Sequence, residues 1–309
     1  MAEFYAHERL AKAAAQDLAM APAVYENFSA FLVGSNGPDP LFFRVIWRFE
    51  DGGFGVRKLG THLHEERCGR FVRELVDQAN TPAQRAYALG FLCHYALDQI
   101  IHPFVHWQCR KGGDFSMEGG HGYLEEAMDS ALYRKDHPEA NSLEPPVMDF
   151  GVFLLEPRAE EEIDELLRTA IRRVYGGRKI ARGEFCKAFD RVRWAKRYLM
   201  HPTPRKLRFW HGMETLLHME CLITSHCSPL VLPACDFLNE KHVEWTDDRT
   251  PDFSSRESVW DLLARAQERA VAYMVCAQEI WTGDRTGEDL QRLTRNRSFS
   301  SDAPGSAAP

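Results

Sequence analysis

A chain of 309 residues with 44% apolar and 27% charged side chains is long enough to bury a full core, as one elaborated helical domain or two average ones, which excludes a disordered chain. Acidic residues outnumber basic ones by 45 to 38, and no Lys/Arg stripe runs along the sequence, so duplex nucleic acid is not an expected partner. No run approaches the ~20 apolar residues of a membrane span, and the N-terminus has no basic segment followed by an apolar one, so a cytoplasmic protein without a transmembrane segment is expected.

A first amphipathic helix is expected from Glu3 to about Phe31, with Leu10, Ala14, Leu18 and Ala21 at helical spacing. Ser35-Asn36-Gly37-Pro38-Asp39-Pro40 breaks it. The stretch from Asp51 to Gly60 carries four glycines and reads as a loop, with helical periodicity resuming near His64. Thr81-Pro82-Ala83-Gln84 looks like an N-cap followed by proline in the first turn, opening a helix toward Ile101 that Pro103 ends or kinks. A glycine-rich link, Gly112-Gly113 and Gly119-Gly120, precedes a helix from His121 to about Tyr133. After a proline-containing loop around Pro138 to Pro146, helical patterns run over Ala159 to Tyr175, Gly183 to Met200, Lys206 to Ser225 and Ser255 to Trp281. No convincing alternating strand occurs. The expected fold is all-α, with one helical domain over 1–283 and a polar, disordered tail over 284–309. Eight cysteines, scattered in apolar contexts without CxxC spacing, read as reduced, mostly buried thiols.

The segment His94-Tyr95-Ala96-Leu97-Asp98-Gln99-Ile100-Ile101-His102-Pro103 carries the main chemical signal. His94, Asp98 and His102 are four apart and stack along one face of a helix. Imidazole and carboxylate are donors that zinc accepts in open sites. A lone His/Asp pair at this spacing is more often a helix salt bridge or a backbone-satisfied core histidine than a metal site. Here the flanks, Leu89, Phe91, Leu92, Tyr95, Leu97, Ile100 and Ile101, are apolar almost all round, and ionisable groups inside a core need a compensating partner such as a metal. Three weaker signals accompany it: His121 and Glu125 at the same spacing with Asp129 one turn on, Asp39 in its Gly/Pro loop, and His62-Leu63-His64-Glu65-Glu66.

Taken in this order, the motifs resemble the zinc-dependent phospholipase C family, related in fold to the helical S1/P1-type nucleases. The resemblance is carried by His94, Asp98 and a histidine flanking Pro103, by His121, Glu125 and Asp129, and by the upstream Asp39 loop and His64 segment. It implies a multi-helix bundle around a buried metal cluster. Asp39, His64, His94 and Asp98 would hold a first zinc; His121 and Glu125, with His102 or alternatively His106, a second; His7 would help hold a third, bridged to the first by Asp98. His62 is an alternative to His64. The amine of Met1 or Ala2 would have to serve as a further ligand of the third ion. The implied activity is phosphodiester hydrolysis by a zinc-activated water, with Asp39 or a neighbouring carboxylate taking its proton. The substrate is a phospholipid or another phosphodiester. A single-strand nuclease or nucleotidase, or a non-catalytic helical metal-binding protein, are the alternatives. The later histidines, His201, His211, His218 and His226, fit no usable spacing.

Overall fold

A computed structural model describes residues 4–18, 25–44, 54–139, 154–176, 180–200, 203–218, 223–247, 249–250 and 253–300. The fold is all-α, and the strand content of the described residues is one two-residue antiparallel pair, β1 (Trp245–Thr246) with β2 (Ser254–Ser255). Residues 1–283, expected to form one domain, contribute to two compact units, each assembled from three stretches of chain. Among the described residues no helix is long and apolar enough to cross a membrane.

One unit comprises His7–His102, Phe150–Arg193 and Leu263–Pro309. The N-terminal helix is shorter than its periodicity suggests: α1 covers Phe4–Asp17, and a separate helix α2 covers Phe28–Gly34. Pro22, between them, lies outside the described residues. A 3-10 helix, Asp39–Arg44, follows, and α3 spans Phe54–Glu65. Gly55 and Gly60 are therefore helical, against the loop expected there. A Cβ on Gly60 would meet the Phe42 ring at 3.1 Å, so close packing selects glycine at that position and overrides its low helix propensity.

The central helix α5, Pro82–Cys109, is buried at every position from 86 to 105, as its all-round apolar character predicts. Pro103 does not end it. Proline forfeits one backbone bond, but Phe104 and Val105 beyond it are fully buried, and their burial holds the chain helical. α2 crosses α5 at backbone contact: a Cβ on Gly90 would lie 1.9 Å from the Phe31 carbonyl oxygen, and one on Gly34 would lie 2.1 Å from that of Tyr87.

Helix α4 (Cys68–Gln78) buries Phe71, Val72, Leu75 and Val76, and α7 (Pro157–Tyr175) buries Ile163, Leu166, Leu167, Ala170, Ile171 and Val174 at helical spacing, so the two pack face to face. α8 (Glu184–Tyr198) begins in this unit, and α10 (Val259–Thr282) ends in it. The expected disordered tail is overturned over its first part. Residues Gly287–Thr294 form α11, opened by a capping box between Thr286 and Asp289 and held on α4 by the fully buried Leu290, and Phe299 beyond it is also fully buried. Residues 301–309 lie outside the described part.

The other unit comprises Met1–Ala6, Pro103–Asp149 and Trp194–Leu262. It contains α6 (Gly120–Asp136), α9 (Pro204–Leu217) and a 3-10 turn at Thr224–His226 that packs on α6. Residues 219–222, within the expected helix to Ser225, lie outside the described part. Trp245, fully buried, donates its indole N–H to the Glu257 carbonyl at 3.0 Å. Inside the same unit the Lys196 ammonium meets Glu126 at 2.8 Å, and the Ser228 hydroxyl donates to the other Glu126 oxygen, so a buried charge pair is satisfied.

Candidate metal centre

Asp98, in the middle of α5, is the hub of the first cluster. His94 is one turn before it, with Nε2 at 3.0 Å from Asp98 Oδ2. His7, from α1, brings Nε2 to 3.2 Å from Asp98 Oδ1. His64, near the end of α3, sits 3.1 Å from Asp39 Oδ1 and 3.9 Å from Asp98 Oδ2, again through Nε2. His7, Asp39, His94 and Asp98 are all buried. Two overlapping donor sets result, His7/His94/Asp98 and Asp39/His64/His94, each with one donor atom per residue within 4.8 Å of the others.

The loop after α2 reaches this cluster because Gly37 allows it. Its φ is +52°, and a Cβ there would fall 2.1 Å from His94 Cδ2. The loop delivers Asp39 to the start of the 3-10 helix.

Backbone carbonyls orient the rings. His94 Nδ1 lies 3.2 Å from the Ser35 oxygen, His64 Nδ1 2.8 Å from that of Gly60, and His102 Nδ1 2.8 Å from that of Phe299. A ring nitrogen facing a carbonyl must carry the hydrogen, so in each neutral ring Nε2 holds the lone pair. For His64 and His94 that lone pair faces a carboxylate. Two acceptors at such distances repel unless a proton or a metal ion lies between them. The buried His94 Nε2 has no hydrogen-bond partner, and neither has His7 Nδ1.

Ionisation follows the same logic. Burial opposes charge on Asp39, but the neighbouring His94 and His64 imidazoles prevail and hold its pKa at about 2. Asp98, likewise opposed by burial, is held well below the usual range by His94 and His102. Burial pulls His94 toward neutrality, yet Asp98 and Asp39 raise its pKa; burial and the charge of His94 lower that of His7. The folded cluster thus asks for positive charge. Imidazoles and carboxylates, without a thiolate among them, fit zinc.

In the other unit, His121 Nε2 is 2.7 Å from Glu125 Oε1 on α6. The His106 ring lies 5.8 Å from that of His121, with its Nε2 3.4 Å from an Arg249 nitrogen. Asp129, one turn beyond Glu125, serves the backbone instead, its two oxygens accepting the N–H groups of Tyr5 and Ala6, both at 2.9 Å. The first turn of α1 contains no acidic residue, and Asp129 satisfies two of its N–H groups, although burial and the charge of Glu126 raise its pKa well above the usual carboxylate range. His62, on α3, pairs at 2.9 Å with Glu66 just beyond the end of that helix.

Two residues near these donors escape sequence reasoning. His226 packs against α6, where a Cβ on Gly122 would meet its Cε1 at 2.8 Å; its Nδ1 is buried without a partner, and burial lowers its pKa to about 3. Phe299 packs on His64 and His94 with ring centroids 5.0 and 5.7 Å apart. Neither has a sequence signal, because tertiary contact across many residues brings each into place.

The sequence profile of a family described as zinc dependent phospholipase C matches residues 6–177, which include His7, Asp39, His64, His94, Asp98, His102, His106, His121 and Glu125; the Met1 or Ala2 amine expected as a further ligand lies outside the described residues. No curated protein and no solved structure matches the chain. With that match spanning more than half of the sequence, the chain belongs to the zinc-dependent phospholipase C family.

Proposed function

We propose that this protein is a zinc-dependent hydrolase of phospholipid-type phosphodiesters. Asp39, His64, His94 and Asp98 are the donors of one ion, His7 with Asp98 those of a neighbouring one, and His121 with Glu125 those of another. The carrying observation is the convergence on Asp98, where lone-pair nitrogens from α3 and α5 face carboxylates with their Nδ1 hydrogens already committed to backbone oxygens. When bound, zinc supplies Lewis acidity toward a phosphoryl oxygen and lowers the pKa of water to about 7.

The protein's own contribution is positioning and proton handling. The carbonyls of Ser35 and Gly60 hold the imidazoles so that Nε2 points inward, and burial keeps water from competing for the donors. Asp39 is also the proposed proton acceptor. It is ionised at neutral pH and so able to accept a proton.

Elemental analysis of purified protein, beside an Asp98→Ala variant and a turnover assay on a chromogenic phosphocholine diester, tests this reading. More than one equivalent of zinc, with metal and turnover both falling in the variant, supports it. A well-folded chain that takes up no zinc sinks it. Turnover of single-stranded DNA in place of the phosphocholine ester would redirect the substrate assignment to a nuclease.

A further inference from the structure

The last described residues, Arg295 to Ser300, lie far outside the family-matched stretch, yet they end against the first metal cluster. Arg295 and Asn296 both have positive φ, 51° and 49°, and together reverse the chain after α11. Asn296 Oδ1 accepts the Arg70 backbone N–H at 3.2 Å, and a Cβ on Gly69 would fall 2.7 Å from Asn296 Cα, so the reversal is seated on α4. The Tyr95 hydroxyl then donates to the Arg297 carbonyl at 2.5 Å.

Phe299 completes the contact. Its N–H donates to the His64 carbonyl at 2.9 Å, and its own carbonyl accepts from His102 Nδ1 at 2.8 Å. Its ring, fully buried, touches His64, His94 and Tyr95, the last at 4.6 Å between centroids. A side chain that merely filled a gap needs the ring contacts alone. Here both backbone groups of one residue engage two candidate ligand residues, and one of those bonds fixes which nitrogen of His102 keeps its lone pair.

We propose that the segment from Arg297 to Ser300 is a structural part of the metal centre, with Phe299 a positioning residue for His64, His94 and His102. The proposal rests on the zinc-hydrolase reading above. It predicts that the segment and the metal stabilise each other, since coupling between two binding events is reciprocal.

The test compares the full chain with one ending at Ser300 and one ending at Arg297, by zinc affinity against a chromophoric chelator and by the visible bands of the cobalt-substituted protein. The chain ending at Ser300 should match the full chain. The chain ending at Arg297, with its helical circular dichroism intact, should bind zinc about 10–100-fold more weakly and show shifted cobalt bands. Should the shortened chain fail to fold, the intact protein decides: adding zinc should slow hydrogen exchange at the Phe299 amide. Phe299→Ala, which keeps the backbone bonds, should lose affinity by a smaller factor. Unchanged affinity and bands in the folded Arg297 chain, or zinc-independent exchange at that amide, overturn the proposal while leaving the hydrolase reading intact. A full chain that binds no zinc overturns both.

Discussion

The Arg44 guanidinium donates through Nε to Glu184 Oε2 at 2.7 Å, tying the end of the 3-10 helix that begins at Asp39 to the first turn of α8. Both side chains are largely buried, so removing either partner strands the other. Glu184→Gln should cost about 3–5 kcal/mol in urea denaturation. The pair also has a pH signature. Burial raises the pKa of Glu184, but Arg44 and Lys187 outweigh it and the net shift is downward. A depressed carboxylate contributes stability that is present above its ordinary pKa and lost as pH falls through the lowered one. The acid limb of a stability-against-pH curve should therefore flatten in Glu184→Gln relative to the parent, and parallel curves would refute the assignment.

Gly37→Ala tests the loop that carries Asp39. The added methyl would have to displace the His94 ring, and the positive φ adds strain. We expect a stability loss of about 1–3 kcal/mol and a larger proportional loss of zinc, read by metal analysis on folded protein. Full zinc content in the variant would show that the loop has room to yield.

Chelation should lower thermal stability without abolishing the fold. A ligand present at a thousand times its dissociation constant stabilises by about 4 kcal/mol, which for a chain of this size is on the order of 10 °C in Tm. Calorimetry with and without chelator reads this directly. Complete loss of helix on chelation would favour a purely structural metal.

Asp129→Ala should destabilise the protein by roughly 1–2 kcal/mol, because two N–H groups of the first turn of α1 lose their carboxylate. Asp129→Asn should retain part of this, since one amide oxygen can still accept. Denaturant midpoints of the two variants give the order, and equal losses would count against the capping role.

The centre is legible in sequence where its geometry is local. His94, Asp98 and His102 share one helix, and four-residue spacing is enough to place them on one face. Asp39 and His64 have only weak local signals and are reached through resemblance; Gly37, Gly34 and Gly90, whose missing Cβ atoms let the elements meet, look like ordinary punctuation. Local propensity misleads where packing prevails, as in the glycine-bearing α3 and in α5 continuing past Pro103. The stretch after Asp284 departs from expectation for the same reason. Its polar composition conceals a capping box and two buried apolar anchors, Leu290 and Phe299.

The three carbonyls that orient His64, His94 and His102 belong to Gly60, Ser35 and Phe299, and none is a side-chain group. Point mutation can delete a side-chain partner but not a peptide oxygen. Ring orientation here is inherited with the path of the chain, so a substitution at these positions acts through packing, as at Gly60 and Phe299, and leaves the carbonyl itself in place. Comparing sequences alone would pass over such partners, and surveys of drift in this family should weigh insertions and deletions near them more heavily than substitutions.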